Sequence, residues 1–135
     1  MFDPIVGDKL SELVVNKDIL VNYYDRFFEY IRCKNDREQI RLIREEELKH
    51  IYMLKSIFTR MIGGQVNAIR ENKIKKEVFN KYIEKIIYLE TNIIKTTKSL
   101  ILTVPDLRIR NGLYYIITDD QRHADIIIFF YAKYS

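Results

Sequence analysis

Apolar residues recur at steps of three and four along almost all of the 135-residue chain, the spacing of helices that each bury one stripe. Four such segments can be drawn. The first runs over about 8–33 and stops in the polar stretch Lys34-Asn35-Asp36; the second, about 37–62, ends at Gly63-Gly64, where a left-handed C-cap is expected. The third covers about 74–103 after a polar connection through Asn67, Glu71 and Asn72. It ends before Pro105, which lacks the amide a helix needs and restricts the residue preceding it. The fourth runs over about 106–134. Four helices of about 25 residues, each roughly 37 Å long at the standard rise, form one all-α domain most economically as an elongated antiparallel four-helix bundle. The short first and third links predict two tight hairpins. The middle link, from Gly63 to Lys73, is long enough either to cross the bundle lengthwise or to bend round its end.

The inward stripes carry the chemistry. In the second helix the stripe reads Ile40, Ile43, Glu47, His50, Leu54, Ile57, Met61; in the fourth it reads Ile109, Leu113, Ile116, Asp120, His123, Ile127, Phe130, Tyr134. Each sets a carboxylate and an imidazole three residues apart, one turn on the same face, within an apolar seam. A buried carboxylate left unpaired costs several kcal/mol, so these residues require partners. The third helix supplies Glu90 within Phe79, Ile83, Ile86, Glu90, Ile93, Thr97, Leu100, Val104. The first supplies Lys17 within Leu10, Leu13, Lys17, Leu20, Tyr24, Phe27, Ile31. Glu90 precedes Asp120 by the same 30 residues by which Lys17 precedes Glu47, so the chain reads as two copies of one hairpin. Carboxylates from two helices with Glu-x-x-His from two others are the arrangement by which four-helix bundles hold two iron or manganese ions.

Composition narrows the alternatives. The net charge of +4 comes from 23 basic and 19 acidic residues interleaved at helical spacing, as in Glu45 to Lys49 and Glu77 to Lys81, which describes solvated helix faces rather than a nucleic-acid surface. No window offers the ~18 uncharged apolar residues of a membrane span. The first fifteen residues show no basic segment leading an apolar core, so a cytoplasmic location is expected. The single cysteine, Cys33, excludes an internal disulfide and a four-cysteine metal knot, and is read as a half-buried helix residue. Gly63-Gly64 is too short for a phosphate loop. A Ser-His-Asp triad has no support, since both histidines belong to the two motifs. The ten tyrosines are read as amphipathic packing residues, with Tyr24 on the inward face one heptad from Lys17; Glu45 and Glu46 are expected to face outward.

Two segments carry a family resemblance. IITDDQRHADIIIFFY resembles the last helix of rubrerythrin-type domains, where a Glu-x-x-Arg-His-Ala pattern is usual, and IREEELKHIYMLKSIFTRMIGG resembles their second helix. The chain thus resembles the rubrerythrin and ferritin-like superfamily of di-iron carboxylate proteins over nearly its whole length. The resemblance implies a ferritin-like bundle with metal ligands Glu47, His50, Glu90, Asp120 and His123. It also implies iron, with manganese second, and chemistry on oxygen or peroxide. Without a cysteine cluster there is no built-in electron relay, so an external reductant protein would be needed. Apolar and tyrosine-rich faces on the first helix would suit a homodimer.

Two positions depart from that pattern. Asp120 stands where the family has Glu, which shortens the reach by one methylene and keeps the charge. The first-helix ligand position holds Lys17, while Asp18 points about 100° away round the helix. Three outcomes follow. Lys17 snorkels outward and Asp18 or water completes a weakened metal pair; its ammonium sits among Glu47, Glu90 and Asp120, giving a metal-free ion cluster in a non-catalytic bundle; or the centre holds one metal.

Overall fold

The structure is a computed structural model, and it describes residues 4–66 and 78–134. Four helices account for nearly all of them: α1 (Pro4–Tyr30), α2 (Lys34–Met61), α3 (Phe79–Thr103) and α4 (Leu107–Lys133). Every inward stripe residue lies in the core, with only the end positions Met61, Phe79 and Tyr134 partly exposed.

The helix ends follow local chemistry. Pro4 opens α1, a position whose amide has no intrahelical partner. The Lys34-Asn35-Asp36 stretch, expected to be a break, is instead the first turn of α2. Asp36 there suits the positive end of the helix dipole and accepts hydrogen bonds from Lys133 Nζ and Tyr134 Oη. The turn consequently shrinks to Ile31–Cys33, and Cys33 is an exposed, extended N-cap residue rather than a half-buried helical one. At the far end Gly63 and Gly64 adopt φ of +86° and +72°, the left-handed exit expected of them. The carboxylate of Asp106 caps α4 by accepting from the amides of Arg108 and Ile109.

Contacts along the helices fix the topology. α1 packs against α2 and α3, and α4 packs against α3 and α2, with every neighbouring pair antiparallel. Gly7 near the start of α1 lies against Ile62 at the end of α2, where any added Cβ would meet the Ile62 side chain at 3.3 Å. Phe79 at the start of α3 lies 5.1 Å, ring to ring, from Phe27 near the end of α1. α2 therefore ends, and α3 begins, at opposite ends of the bundle. Asn67, Glu71 and Asn72, and the expected start of the third helix at Ile74, lie outside the described residues; Val78, expected within that helix, is instead the extended N-cap residue before Phe79.

The large exposed apolar side chains are distributed over α2, α3 and α4, including Tyr52, Tyr88, Tyr114, Tyr115 and Phe129; on α1 they are Ile5 and Tyr30. The first-helix face expected to suit a dimer is therefore not an extended apolar surface.

Candidate metal centre

At mid-height the four stripes turn polar together. Lys17 from α1, Glu47 and His50 from α2, Glu90 from α3, and Asp120 and His123 from α4 are all fully buried. Apolar residues one step away along each stripe, Leu13 and Leu20, Ile43 and Leu54, Ile86 and Ile93, Ile116 and Ile127, close the cluster above and below. The register follows from helix geometry: in each of α2 and α4 the carboxylate and imidazole stand one turn apart, and the antiparallel pairing brings the two motifs to one level.

Lys17 decides the electrostatics. Its Nζ lies 3.1 Å from Glu47 Oε2, 2.9 Å from both carboxylate oxygens of Asp120, and 3.1 Å from His50 Nδ1. An ammonium has three protons, and these three residues accept them. The side chain does not snorkel outward, which removes the first of the three outcomes drawn from the sequence. Asp18 does not reach the cluster either: it sits half-buried on the flank of α1, where burial raises its pKa and the Lys55 charge opposes that rise. Burial acts against the Lys17 charge, but the charges of Glu47, Asp120 and Glu90 outweigh it and hold the amine above its ordinary pKa.

The three carboxylates are not equivalent. Burial disfavours the ionised form of each. Glu47 nevertheless lies well below its ordinary range, because Lys17 and the two imidazoles surround it. Asp120 is pushed up by burial and by Glu47, with Lys17 opposing; with both oxygens on the ammonium it is the anion of that pair. Glu90 is pushed up to about 7 by burial and by the Glu47 charge. Its Oε2 accepts from Tyr24 Oη at 2.7 Å, while Oε1 is buried with no hydrogen-bond partner.

Both imidazoles turn Nδ1 inward and Nε2 toward a second carboxylate. His50 Nε2 is 2.7 Å from Asp119 Oδ2, and His123 Nε2 is 3.4 Å from Glu46 Oε1. His123 Nδ1 lies 3.0 Å from Glu47 Oε1 and 3.5 Å from Glu90 Oε2. Burial lowers the pKa of His123, but these carboxylates more than reverse the effect and bring it to about 10. For His50 burial again opposes the charge, while Asp120 and Glu47 draw the ring up to about 9. In the neutral ring the ammonium 3.1 Å from Nδ1 selects the tautomer, since two donors cannot share that contact: Nδ1 accepts from Lys17 and Nε2–H donates to Asp119. Imidazoles oriented this way by an outer carboxylate are the form in which histidine ligates metal ions.

Glu46 and Asp119 are the residues that the sequence pattern placed wrongly or passed over. Glu46 was expected to face outward, and Asp119 was not singled out. Both lie at the α2/α4 seam, with side chains 27% and 16% exposed, and are bridged by Arg122, whose guanidinium is 2.5 Å from Glu46 and 3.5 Å from Asp119. The signal for each was its position immediately before a motif carboxylate, on the flank facing the neighbouring helix.

One oxygen or nitrogen from each of Glu47, Glu90, Asp120 and His123 lies within 4.8 Å of the others, so this buried group could hold a metal ion. His50, expected as a fifth ligand, stands outside that set with Nδ1 on Lys17. Among the described residues no helix is long and apolar enough to cross a membrane. No family model matches the chain. A search of curated proteins returns no match either.

Proposed function

We propose that this protein is a metal-binding four-helix bundle of the rubrerythrin and ferritin-like type, which handles iron, or less favourably manganese, through the Glu47, Glu90, Asp120 and His123 group. One observation carries the reading: three carboxylates and an imidazole, donors suited to a divalent cation, converge in a buried site where Glu90 Oε1 has no protein partner. An unsatisfied buried carboxylate oxygen costs about 1–3 kcal/mol, and a cation bonded to it removes that cost. The helix order, the three-residue spacing of both motifs and the Nε2 contacts of both imidazoles support the same reading. Bound iron would supply a redox-active Lewis acid. The chain's own part is to balance its charge, orient the imidazoles and exclude water, while electrons for any oxygen or peroxide chemistry would come from an external reductant.

A second reading rests on Lys17. Its bonds to Glu47, Asp120 and His50 make a buried ion cluster that could stabilise a non-catalytic, metal-free bundle serving as a structural or interaction module. Elemental analysis after anaerobic loading with Fe(II) or Mn(II) and removal of excess separates the two. Retention of stoichiometric metal supports the first reading; retention of substantially less than one ion per chain, with unchanged thermal stability, leaves the second.

A further inference from the structure

Resting on the metal-binding reading, we infer that the centre takes one divalent cation and not two, with the Lys17 ammonium standing permanently in place of the second. The donor atoms divide into two halves. In one, Glu47 Oε2, both oxygens of Asp120 and His50 Nδ1 all point at Lys17 Nζ, between 2.9 and 3.1 Å away. In the other, His123 Nδ1 lies 3.0 Å from Glu47 Oε1 and 3.5 Å from Glu90 Oε2, and Glu90 Oε1 has no partner; Glu47 Oε1, 3.3 Å from Lys17 Nζ, stands on the border between the halves. The atoms that can share a cation come from Glu47, Glu90, Asp120 and His123, and His50 is not among them.

Charge balance gives the same count. Three carboxylates carry −3; Lys17 and one divalent ion carry +3. A second divalent ion would leave the buried site at +2, charge that nothing around it compensates and that burial penalises. Withdrawing Lys17 would not make room cheaply. Its side chain is wholly buried, and moving it breaks its bonds to three residues. Replacing Lys17 by a carboxylate changes the fixed charge by −2, which one further divalent cation would balance. The residues present therefore do not fit the two-metal centre that the family resemblance implies. They fit a mononuclear site in which a two-metal reaction has no second ion to use.

The test is Mn(II) titration of the full chain under argon, followed by calorimetry and electron paramagnetic resonance. The wild type should bind one Mn(II) and give the hyperfine sextet of an isolated ion, unchanged when further Mn(II) is added and excess removed. Lys17→Glu should bind two and give the spectrum of a coupled pair. Should Lys17→Glu fail to fold, the asymmetry between the halves still decides. Glu90→Gln and His123→Ala should weaken binding more than about 100-fold, whereas His50→Gln, which preserves an acceptor for Lys17, should change it less than about 10-fold. Two Mn(II) per wild-type chain with a coupled spectrum, or equal losses from His50→Gln and His123→Ala, would overturn the one-cation inference and leave the metal-binding reading standing. No binding by the wild type at all would overturn both.

Discussion

Replacing Lys17 with Met isolates what the ammonium contributes, because Met nearly preserves the volume of the stem while removing the charge. Without it the metal-free protein holds Glu47 and Asp120 buried with no cation between them, and three acceptors lose their donor. Removing one partner of a buried ion pair costs about 3–5 kcal/mol, most of it the penalty of the charges left behind. With an unfolding entropy of ~2.1 cal/mol/K per residue, ~280 cal/mol/K for 135 residues, that loss lowers Tm by about 11–18 °C. The assay is guanidinium chloride unfolding followed by circular dichroism at pH 7 in the presence of chelator. The midpoint should fall with an unchanged slope. Neutralising both carboxylates as well, in Lys17→Met/Glu47→Gln/Asp120→Asn, should recover most of the loss, because the unpaired charges are then gone. A single variant within about 1 kcal/mol of the parent, or a triple variant no more stable than the single, would refute Lys17 as the counter-charge of the core.

Other expectations follow from the same geometry. The buried Glu90 has its pKa raised from 4.5 to about 7, so its contribution is fully present below the ordinary value and is lost as pH rises through 7. Metal-free Glu90→Gln should therefore match the parent near pH 4 and exceed it by roughly 1–3 kcal/mol at pH 8, measured by chemical denaturation. Asp36 shows the opposite sign: burial pushes its pKa up, but hydrogen bonds from Lys133 and Tyr134 bring it below its ordinary value of 3.8. Its stabilisation is present above that value and disappears as pH falls through the lower folded one, so Asp36→Asn should cost about 1–2 kcal/mol at pH 7 and nothing in strong acid. Arg122 bridges the two carboxylates that separate both imidazoles from solvent at the α2/α4 seam. Stopped-flow mixing should show faster Mn(II) uptake by Arg122→Ala, with equilibrium affinity within a few-fold of wild type.

Particular residues show where sequence reading reaches and where it stops. The four helices were legible because an apolar residue every three or four positions has no other economical burial, and the same stripes gave Lys17, Glu47, His50, Glu90, Asp120 and His123 one common height. Polar residues at a helix start look like a break, which hid the first turn of α2 at Lys34-Asn35-Asp36 and placed Cys33 inside a helix. That α3 begins at the opposite end of the bundle from the end of α2 depends on which helix ends meet, as Phe79 meets Phe27, and no local pattern encodes that. Glu46 and Asp119 lie about 100° off the inward stripe, and only the spacing of α2 from α4 lets them reach the imidazoles. For Lys17, an outward snorkel and an inward ammonium both satisfied the periodicity; burial and the positions of Glu47, His50 and Asp120 selected the inward one.

The most direct test of the centre is diffraction from a Mn(II)-soaked crystal, recorded at a wavelength where manganese scatters anomalously. The account predicts one strong anomalous peak inside the bundle, bounded by Glu47, Glu90, Asp120 and His123, with Lys17 still on Asp120 and His50. A bundle interior with no peak, any manganese being confined to the surface, would contradict it.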